Sequence, residues 1–397
     1  MHAEQAAEPQ RLPRVLWAMM FGNVVIGMGV MVIAGLLNDI HTSLDVSVTT
    51  AGQLISVSAF VVCLGAPVIA ASVGRWDRRQ LLVGSMVWYA IFHALAALAP
   101  GFFSLLGWRV LAMLAAAAYT PQAAACIGML VPPEQRGRAI TFVFLGWSVA
   151  SVLGMPIAAW MSEVHGWRMV FGMLSVLSFL SAAWVWWVLP TGLLPPVMSL
   201  SAWRQTFVSK PLMFTVLVTV ISASGQFFLT AYFAPYFKQT LSTSPTELGV
   251  LFGWFGACGL LGNMLLSRRV DRMGADRAVN LSLLLIAVSM LFWSLGTSLW
   301  LAALIITPWG LGMFATNSAQ QARLIHIAPA LASGSVALNT SAIYLGQAIG
   351  SAGGGWLIEH NGMNQLHWLG LAGTLLALLM SLLAARATRR ARRHVSV

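Results

Sequence analysis

Long apolar runs separated by short polar stretches dominate the pattern of the chain. Each run holds about twenty residues or more, which is what an α-helix needs to cross a hydrocarbon core of about 30 Å. We predict one membrane-spanning helix for each of twelve runs, roughly 15–37, 49–72, 80–99, 103–130, 138–162, 168–189, 212–237, 246–266, 278–296, 299–323, 332–358 and 366–386. An even number of spans places both termini on one side of the membrane.

One stretch of the chain occurs twice in related form. Residues 132–166 align with residues 328–362 when the sequence is shifted by 196 positions, and the matched pairs include Gly154 with Gly350, Trp160 with Trp356, and Glu163 with Glu359. Repetition over such a distance in an apolar chain is typical of transporters built from duplicated halves. We therefore predict an all-α membrane protein with twelve transmembrane helices in two pseudo-symmetric six-helix bundles.

The apolar pattern breaks near mid-chain, where prolines and basic residues interrupt it between Pro190 and Pro211. Such a break is typical of a linker between two units. The predicted organisation is a tail at 1–14, a first half at 15–189, a linker at 190–211, a second half at 212–386 and a basic tail at 387–397.

Composition agrees with a membrane protein. Of the 397 residues, 58% are hydrophobic and 8% are charged, and the mean hydropathy is +0.80. No soluble fold buries so much apolar surface with so few charges. The net charge of +11 raises nucleic acid as a partner, but the basic residues sit in short clusters between the runs. That placement is what membrane topology requires, so we expect no nucleic-acid partner.

The basic residues also predict the orientation. With both termini in the cytoplasm, 19 of the 22 Lys and Arg residues lie on the cytoplasmic side, while Arg168 and Lys238 lie outside and Arg109 lies within a span. So uneven a distribution follows the positive-inside rule. We expect an integral protein of a bacterial inner membrane.

Two loops carry a resemblance to a known family. Residues 70–79, AASVGRWDRR, resemble a loop that follows the second helix of that family, and its counterpart SRRVDRMGADR retains Asp271, Arg272 and Gly274. Arg109 resembles the family's buried arginine in the fourth helix. The fifth run resembles the glycine-proline signature of antiporters through Gly146, Gly154 and Pro156.

By these motifs the chain resembles the major facilitator superfamily over nearly its whole length, and within it the sugar-efflux and drug:proton antiporter type. The resemblance implies efflux by antiport through a central cavity. The sequence departs from the pattern at Val30, where many such proteins carry a membrane-embedded glutamate, and at Gly74, where the loop aspartate is replaced and Asp77 is displaced by three positions.

Two further predictions concern helix packing and gating. Small residues remove side chains where helices approach closely, and the predicted helix-packing set is Gly146, Gly154, Pro156, Gly350 and Gly354. Asp271, in a basic loop, is expected to reach the start of the fifth span across the cytoplasmic face. The predicted latch comprises Arg75, Asp77, Arg78, Arg136, Arg138, Asp271 and Arg272. The alternative is that these charges are solvated and serve topology alone.

Arg109 is the strongest single candidate for a functional residue, because placing a charged side chain inside a span costs about 2.5 to 3.5 kcal/mol on insertion scales. We expect it to face a polar cavity, although it could instead extend to the outer surface. Asp39, at the outer end of the first span, is the best-placed carboxylate to pair with it. Proton binding to Asp39 would then release Arg109. The alternative is that Asp39 only ends its helix.

Uncharged polar residues inside the spans complete the candidate site. With Arg109, the predicted cavity residues are Asn23, Tyr119, Gln122, Gln226, Tyr232 and Asn317. The family's arrangement puts the first, fourth, seventh and tenth helices around the cavity. Taken singly, each residue could equally serve as an interhelical hydrogen-bond partner. As a group they favour a binding site for a neutral or amphipathic solute.

The leading interpretation is therefore a secondary transporter that exports a small organic solute by alternating access, with protons as the candidate coupling ion. A uniporter or importer of the same fold is the first alternative, and a transport-inactive membrane sensor is the second. No nucleophile set, metal set or phosphate loop is present to favour an enzyme. We expect no cofactor and no metal, with lipid and a small-molecule substrate as partners of a monomer.

Overall fold

The computed structural model describes residues 12–73, 75–194, 200–267, 269–328 and 331–395, and every regular element in them is helical. The first half consists of six spans: Leu12–Ser43, Val48–Ser72, Arg78–Ala97, Phe102–Leu130, a fifth span running from Pro133 to His165, and Trp167–Val188. A short helix, Leu200–Val208, follows in the predicted linker.

The second half also consists of six spans. They are a seventh span made of Lys210–Thr230 and Phe233–Leu241, an eighth at Pro245–Ser267, a ninth at Ala275–Leu291, a tenth at Leu299–Ile327, an eleventh at Ala332–Glu359 and a twelfth at Leu366–Val395. The seventh span is interrupted at Ala231 and Tyr232. The sequence predicts no such break, because apolar residues continue across it.

Local signals explain several helix starts. The Ser47 hydroxyl accepts from the backbone N–H of Thr50 at 3.0 Å, and the Asp77 carboxylate accepts from the N–H of Arg79 at 2.8 Å. Both side chains satisfy amide groups that the first turn of a helix leaves free. The predicted second and third spans therefore begin within two residues of their observed starts.

Ten of the described helices are long and apolar enough to cross a membrane. The two that complete the twelve are the ninth span, which has 17 residues, and the eleventh, whose 28 residues include many small and polar ones. At about 1.5 Å per residue, 17 residues extend over about 25 Å. The structure thus contains the twelve spans that the apolar runs predict.

The two halves repeat the same packing. The fifth span lies against the first and the eleventh lies against the seventh, and the four glycines of the helix-packing set lie at these contacts. The register also matches, because the Asn23 amide donates to the Val143 carbonyl while Thr219 donates to the Asn339 side chain at 2.7 Å. Both members of the second pair lie 196 positions after their counterparts.

The fifth span widens into a π-helical turn at Ala150–Gly154, directly before Pro156. Proline has no backbone N–H and crowds the preceding turn, so the regular ladder cannot continue through it. A bend at this proline is what the sequence predicts. The turn brings the backbone of Ser151 against Gly256 of the eighth span, where a Cβ would lie 2.6 Å from the Ser151 carbonyl carbon.

The second span packs along the eleventh and the fifth along the eighth, and two side-chain contacts join the halves at one end of the molecule. We call it the distal end, where the first span ends and the second begins, and the opposite end the terminal end. At the distal end the Thr49 hydroxyl donates to the Gly355 carbonyl at 3.0 Å, and Thr246 lies 3.5 Å from the Glu163 carboxylate. The halves therefore close the distal end of the space between them.

Glycine substitutions test the repeated packing. A Cβ at Gly350 would overlap the Ser224 carbonyl oxygen of the seventh span, so we expect Gly350→Ala to destabilise the protein by about 1–3 kcal/mol. Thermal unfolding in detergent should then occur several degrees lower. Gly172→Ala is the matched control, because no atom lies within 4 Å of a Cβ there. Equal melting of the two variants would contradict the proposed close approach.

Candidate functional site: a central cavity

A cavity of about 240 Å³ lies between the halves. Its walls come from the first, second, fourth and fifth spans of the first half and from the seventh, eighth, tenth and eleventh spans of the second. Both bundles therefore contribute to one site. A cavity of this kind, at the interface of two repeats, is where secondary transporters bind their substrates.

The cavity wall combines uncharged polar groups with aromatic rings. The polar residues come mainly from the second half and include Thr219, Ser222, Gln226, Thr316, Asn317, Gln320, Gln321, Thr340 and Gln347. The aromatic residues include Phe144, Trp147, Phe227, Phe233, Phe252, Phe255, Phe314 and Tyr344. Among the described lining residues none carries a formal charge, so hydrogen bonds and ring contacts are the interactions available to a solute.

Two of the predicted cavity residues, Gln226 and Asn317, line the cavity. The Gln226 side-chain oxygen accepts from the Trp309 indole N–H at 3.1 Å, and its nitrogen approaches Ser222 at 3.3 Å. The Asn317 oxygen accepts from Gln321 and Asn339. Both amides are therefore held in fixed orientations at the wall.

The other predicted residues lie behind the wall. Asn23 is fully buried between Val143 and Thr120, whose hydroxyl donates to it at 2.7 Å. The Tyr119 ring fills the space left open by Gly22 of the first span. Gln122 is also buried away from the lining. In this structure Asn23 therefore joins helices of the first half by hydrogen bonds, which is the alternative that the sequence left open.

Tyr232 closes the distal end instead of lining the cavity. Its side chain is 1% exposed, and its hydroxyl donates to the Ser351 carbonyl at 2.7 Å. A Cβ on either Gly52 or Gly355 would collide with the same hydroxyl. The tyrosine is therefore inserted between the second, seventh and eleventh spans, and only glycine at positions 52 and 355 leaves room for it.

Arg109 does not line the cavity either. It is 2% exposed, and its guanidinium donates to the backbone carbonyls of Gly29 at 2.5 Å and Val30 at 3.2 Å. The absence of a side chain at Gly29 leaves room for Tyr89 and His93 on the same side. Backbone carbonyls of the first half therefore accept two hydrogen bonds from the five N–H donors of the arginine, and its Nε has no partner among the described residues.

The expected pair between Asp39 and Arg109 does not form in this structure. The Asp39 carboxylate accepts a hydrogen bond from the Ser162 hydroxyl of the fifth span. Arg109 has backbone partners two to three helical turns away along the first span. The two side chains thus belong to different contacts, and the proposed carboxylate switch stays a prediction about another conformation.

The described part of the predicted latch is local. One Asp77 oxygen caps the third span and the other accepts from the Gly192 N–H, while Arg78 donates to the Val73 carbonyl at 2.9 Å. These contacts join the third span to the end of the first half instead of joining the two halves. Arg75 and Arg272 are exposed. The side chains of Arg136, Arg138 and Asp271 lie outside the described residues, so the latch across the halves stays a prediction.

A cluster of aromatic rings at the distal side of the cavity was not predicted. Phe233 lies at its centre, with ring centroids 5.3–6.3 Å from Phe252, Phe255, Trp293 and Trp309. These rings sit in apolar runs, where the sequence does not distinguish them from lipid-facing aromatics. The repeat gives one signal for the position of Gln226, the hydrogen-bond partner of Trp309 in this cluster. A shift of 196 positions places Gln226 at the equivalent of Val30 in the first half.

Comparison with known proteins decides the family. The model of the Major Facilitator Superfamily matches residues 19–233 and again residues 215–396. The chain belongs to this superfamily. Together the two matches cover both bundles, and the predicted twelve-helix, two-bundle fold is confirmed.

Relatives of known name agree with transport. The chain is 28% identical over 353 residues to the inner membrane transport protein YdhP of Escherichia coli K12, covering 89% of this chain and 91% of that protein. It is 27% identical over 348 residues to a Helicobacter pylori G27 protein named as a probable sugar efflux transporter, covering 86% and 88%. The chain is thus a membrane transport protein and not an enzyme.

A solved structure agrees in fold. The inward-facing, unoccupied structure of a bacterial homologue of the human lysosomal transporter Spinster matches with a TM-score of 0.73 at 18% identity, covering 96% of each chain. At this identity the match shows the fold alone.

The contact between Gln226 and Trp309 can be measured by a double-mutant cycle. We expect Gln226→Leu and Trp309→Phe each to lower stability, and the double variant to lose about 1 kcal/mol less than the sum, because both singles remove the same hydrogen bond. Thermal unfolding of the four proteins in detergent gives the coupling. Strict additivity would show that the amide and the indole act independently.

Proposed function

We propose that the protein is a secondary transporter that exports a small organic solute by alternating access. The observation that carries the proposal is the cavity between two related halves that side-chain contacts join at the distal end. A rocking movement of one half against the other would open that end and close the opposite one.

The basic residues indicate which conformational state of the proposed transport cycle the structure corresponds to. By the positive-inside rule the terminal end faces the cytoplasm, so a cavity closed at the distal end is open towards the cytoplasm. Lining residues near the cytoplasmic ends of their helices, such as Gln321 of the tenth span and Asn263 of the eighth, support this direction of opening. An exporter would load its solute in this state.

The lining supports a solute that combines an apolar or aromatic body with hydrogen-bonding groups, and the name of the Helicobacter relative makes sugars a reasonable first panel. A facilitative uniporter or importer is the second candidate. It is supported by Val30, which lines the cavity where a coupling glutamate would stand, and by the lack of any acidic residue among the described lining residues. A transport-inactive sensor would need the same cavity without the rocking movement.

Crosslinking at the distal end tests the mechanism. Glu163→Cys with Thr246→Cys, in a background in which Cys63, Cys126 and Cys258 are replaced by alanine, places two thiols across the halves. We expect a short thiol crosslinker to stop solute flux through proteoliposomes, because the distal end can then no longer open. Flux is measured with a radiolabelled panel of mono- and disaccharides and of aromatic solutes, both neutral and carboxylated.

The matched control is Ser47→Cys with Thr50→Cys, two exposed positions at the same membrane end but within one half. It should crosslink without affecting flux. A distal crosslink between the halves that leaves flux intact would contradict alternating access. Flux that is absent for every solute before crosslinking, while the cavity binds solute, would favour the sensor.

Proton coupling is tested separately. Because no acidic side chain lines the described cavity, we expect a pH gradient to change flux in everted vesicles by less than about twofold, so that export is driven by the solute gradient or by an ion other than the proton. Asp39→Asn should behave like the unmodified protein. Flux that requires the pH gradient and is lost in Asp39→Asn would establish antiport through that carboxylate.

A further inference from the structure

Three arginines are buried within the described spans. Arg78 is the first residue of the third span, and the other two, Arg109 and Arg323, are stabilised differently. Arg323, which is 3% exposed, forms an ion pair with Asp276 at 2.7 Å and donates to the Ser381 hydroxyl at 3.0 Å. Arg109, which is 2% exposed, has two backbone carbonyls as hydrogen-bond partners, and no carboxylate of the described residues lies within ion-pair distance. Its charge is therefore stabilised by dipoles and is not cancelled.

The uncancelled charge lies directly behind the cavity wall. Val30 lines the cavity, and its carbonyl oxygen is 3.2 Å from the Arg109 guanidinium. Tyr344 lines the cavity from the eleventh span of the other half and belongs to the same buried cluster as Tyr89, whose hydroxyl lies beside Gly29. Two separate wall residues thus connect the arginine to the same space.

The cavity also offers hydrogen-bond donors on this side. Tyr344 is only 7% exposed and lines the cavity, where its hydroxyl can donate a hydrogen bond to a solute. Ser148 and Ser151 of the fifth span line the same cavity. Hydroxyl groups stabilise a carboxylate more strongly than a neutral group because charge-assisted hydrogen bonds are stronger.

From this geometry, and building on the proposed transport function, we infer that the cavity selects amphipathic organic anions, such as aromatic carboxylates, and rejects cations. No described lining residue carries a negative charge that would attract a cation. In a site of low dielectric constant a fixed positive charge acts over several ångströms. Arg109 contributes through its field and does not contact the solute.

Binding of three matched probes tests the inference. The probes are 4-nitrobenzoate, 4-nitrobenzamide and 4-nitrobenzylamine, which share a ring and differ in charge, at a mildly acidic pH where the acid and the amine are both ionised. Nitroaromatic rings quench indole fluorescence, and Trp147 lies in the cavity wall. The part of the quenching that is lost in Trp147→Phe reports the cavity.

We expect the unmodified protein to bind 4-nitrobenzoate at least about tenfold more tightly than 4-nitrobenzylamine, with the amide between them. Arg109→Gln should reduce that ratio to within about threefold, while Arg109→Lys keeps most of it. Arg168→Gln is the matched charge control, because this arginine is exposed and its guanidinium stacks on Trp167 outside the cavity lining. It should keep the full ratio.

The variant Tyr344→Phe tests the contribution of the hydroxyl separately from that of the Arg109 charge. It also keeps the inference testable if Arg109→Gln does not fold. It should weaken 4-nitrobenzoate binding by about three- to tenfold and leave rejection of the amine unchanged. The inference is wrong if the unmodified protein binds the amine as tightly as the acid, if it shows no saturable binding of 4-nitrobenzoate, or if Arg109→Gln keeps the ratio. If the protein binds 4-nitrobenzoate selectively but transports no solute, the proposed transport function is wrong while the inference about the cavity holds.

Discussion

The structure depends on one constraint, which is that polar groups inside a lipid-dissolved bundle must find partners within the protein. Arg109 satisfies it with the carbonyls of Gly29 and Val30, and Asn23 satisfies it with Val143 and Thr120. These bonds tie the first span to the fourth and fifth. The first half is therefore held together by internal hydrogen bonds. The remaining polar side chains are free to face the space between the halves.

Glycine residues make the close packing of the helices, and of the two halves against each other, possible. In hydrocarbon there is no hydrophobic drive between helices, so close packing of small residues has to supply the attraction. Gly350 and Gly354 let the seventh span lie against the eleventh, and Gly52 and Gly355 leave room for the Tyr232 hydroxyl between the halves. Distal closure thus depends on close fit at these glycines together with the hydrogen bonds of Thr49 and Thr246.

Much of this architecture could be predicted from the sequence. Apolar runs predict the twelve spans, the shift of 196 positions predicts the equivalence of the fifth and eleventh helices, and Pro156 predicts the distortion seen at Ala150–Gly154. The site was predicted less well. Gln226 and Asn317 line the cavity, but Arg109 and Asn23 take backbone carbonyl partners, and a sequence does not show which carbonyls a buried side chain will meet. The aromatic cluster around Phe233 depends on tertiary packing in the same way.

The central claim is that two rigid related halves enclose one cavity and close it at alternate ends. Spin labels at Glu163 and Thr246 measure the distal distance between the halves, and labels at Gln80 and Arg277, both exposed at the terminal end, measure the opposite distance. The account predicts two populations by pulsed electron resonance in proteoliposomes, with the short distal distance always accompanying the long terminal one. A single fixed distance for each pair, or lengthening of both pairs together, would contradict it.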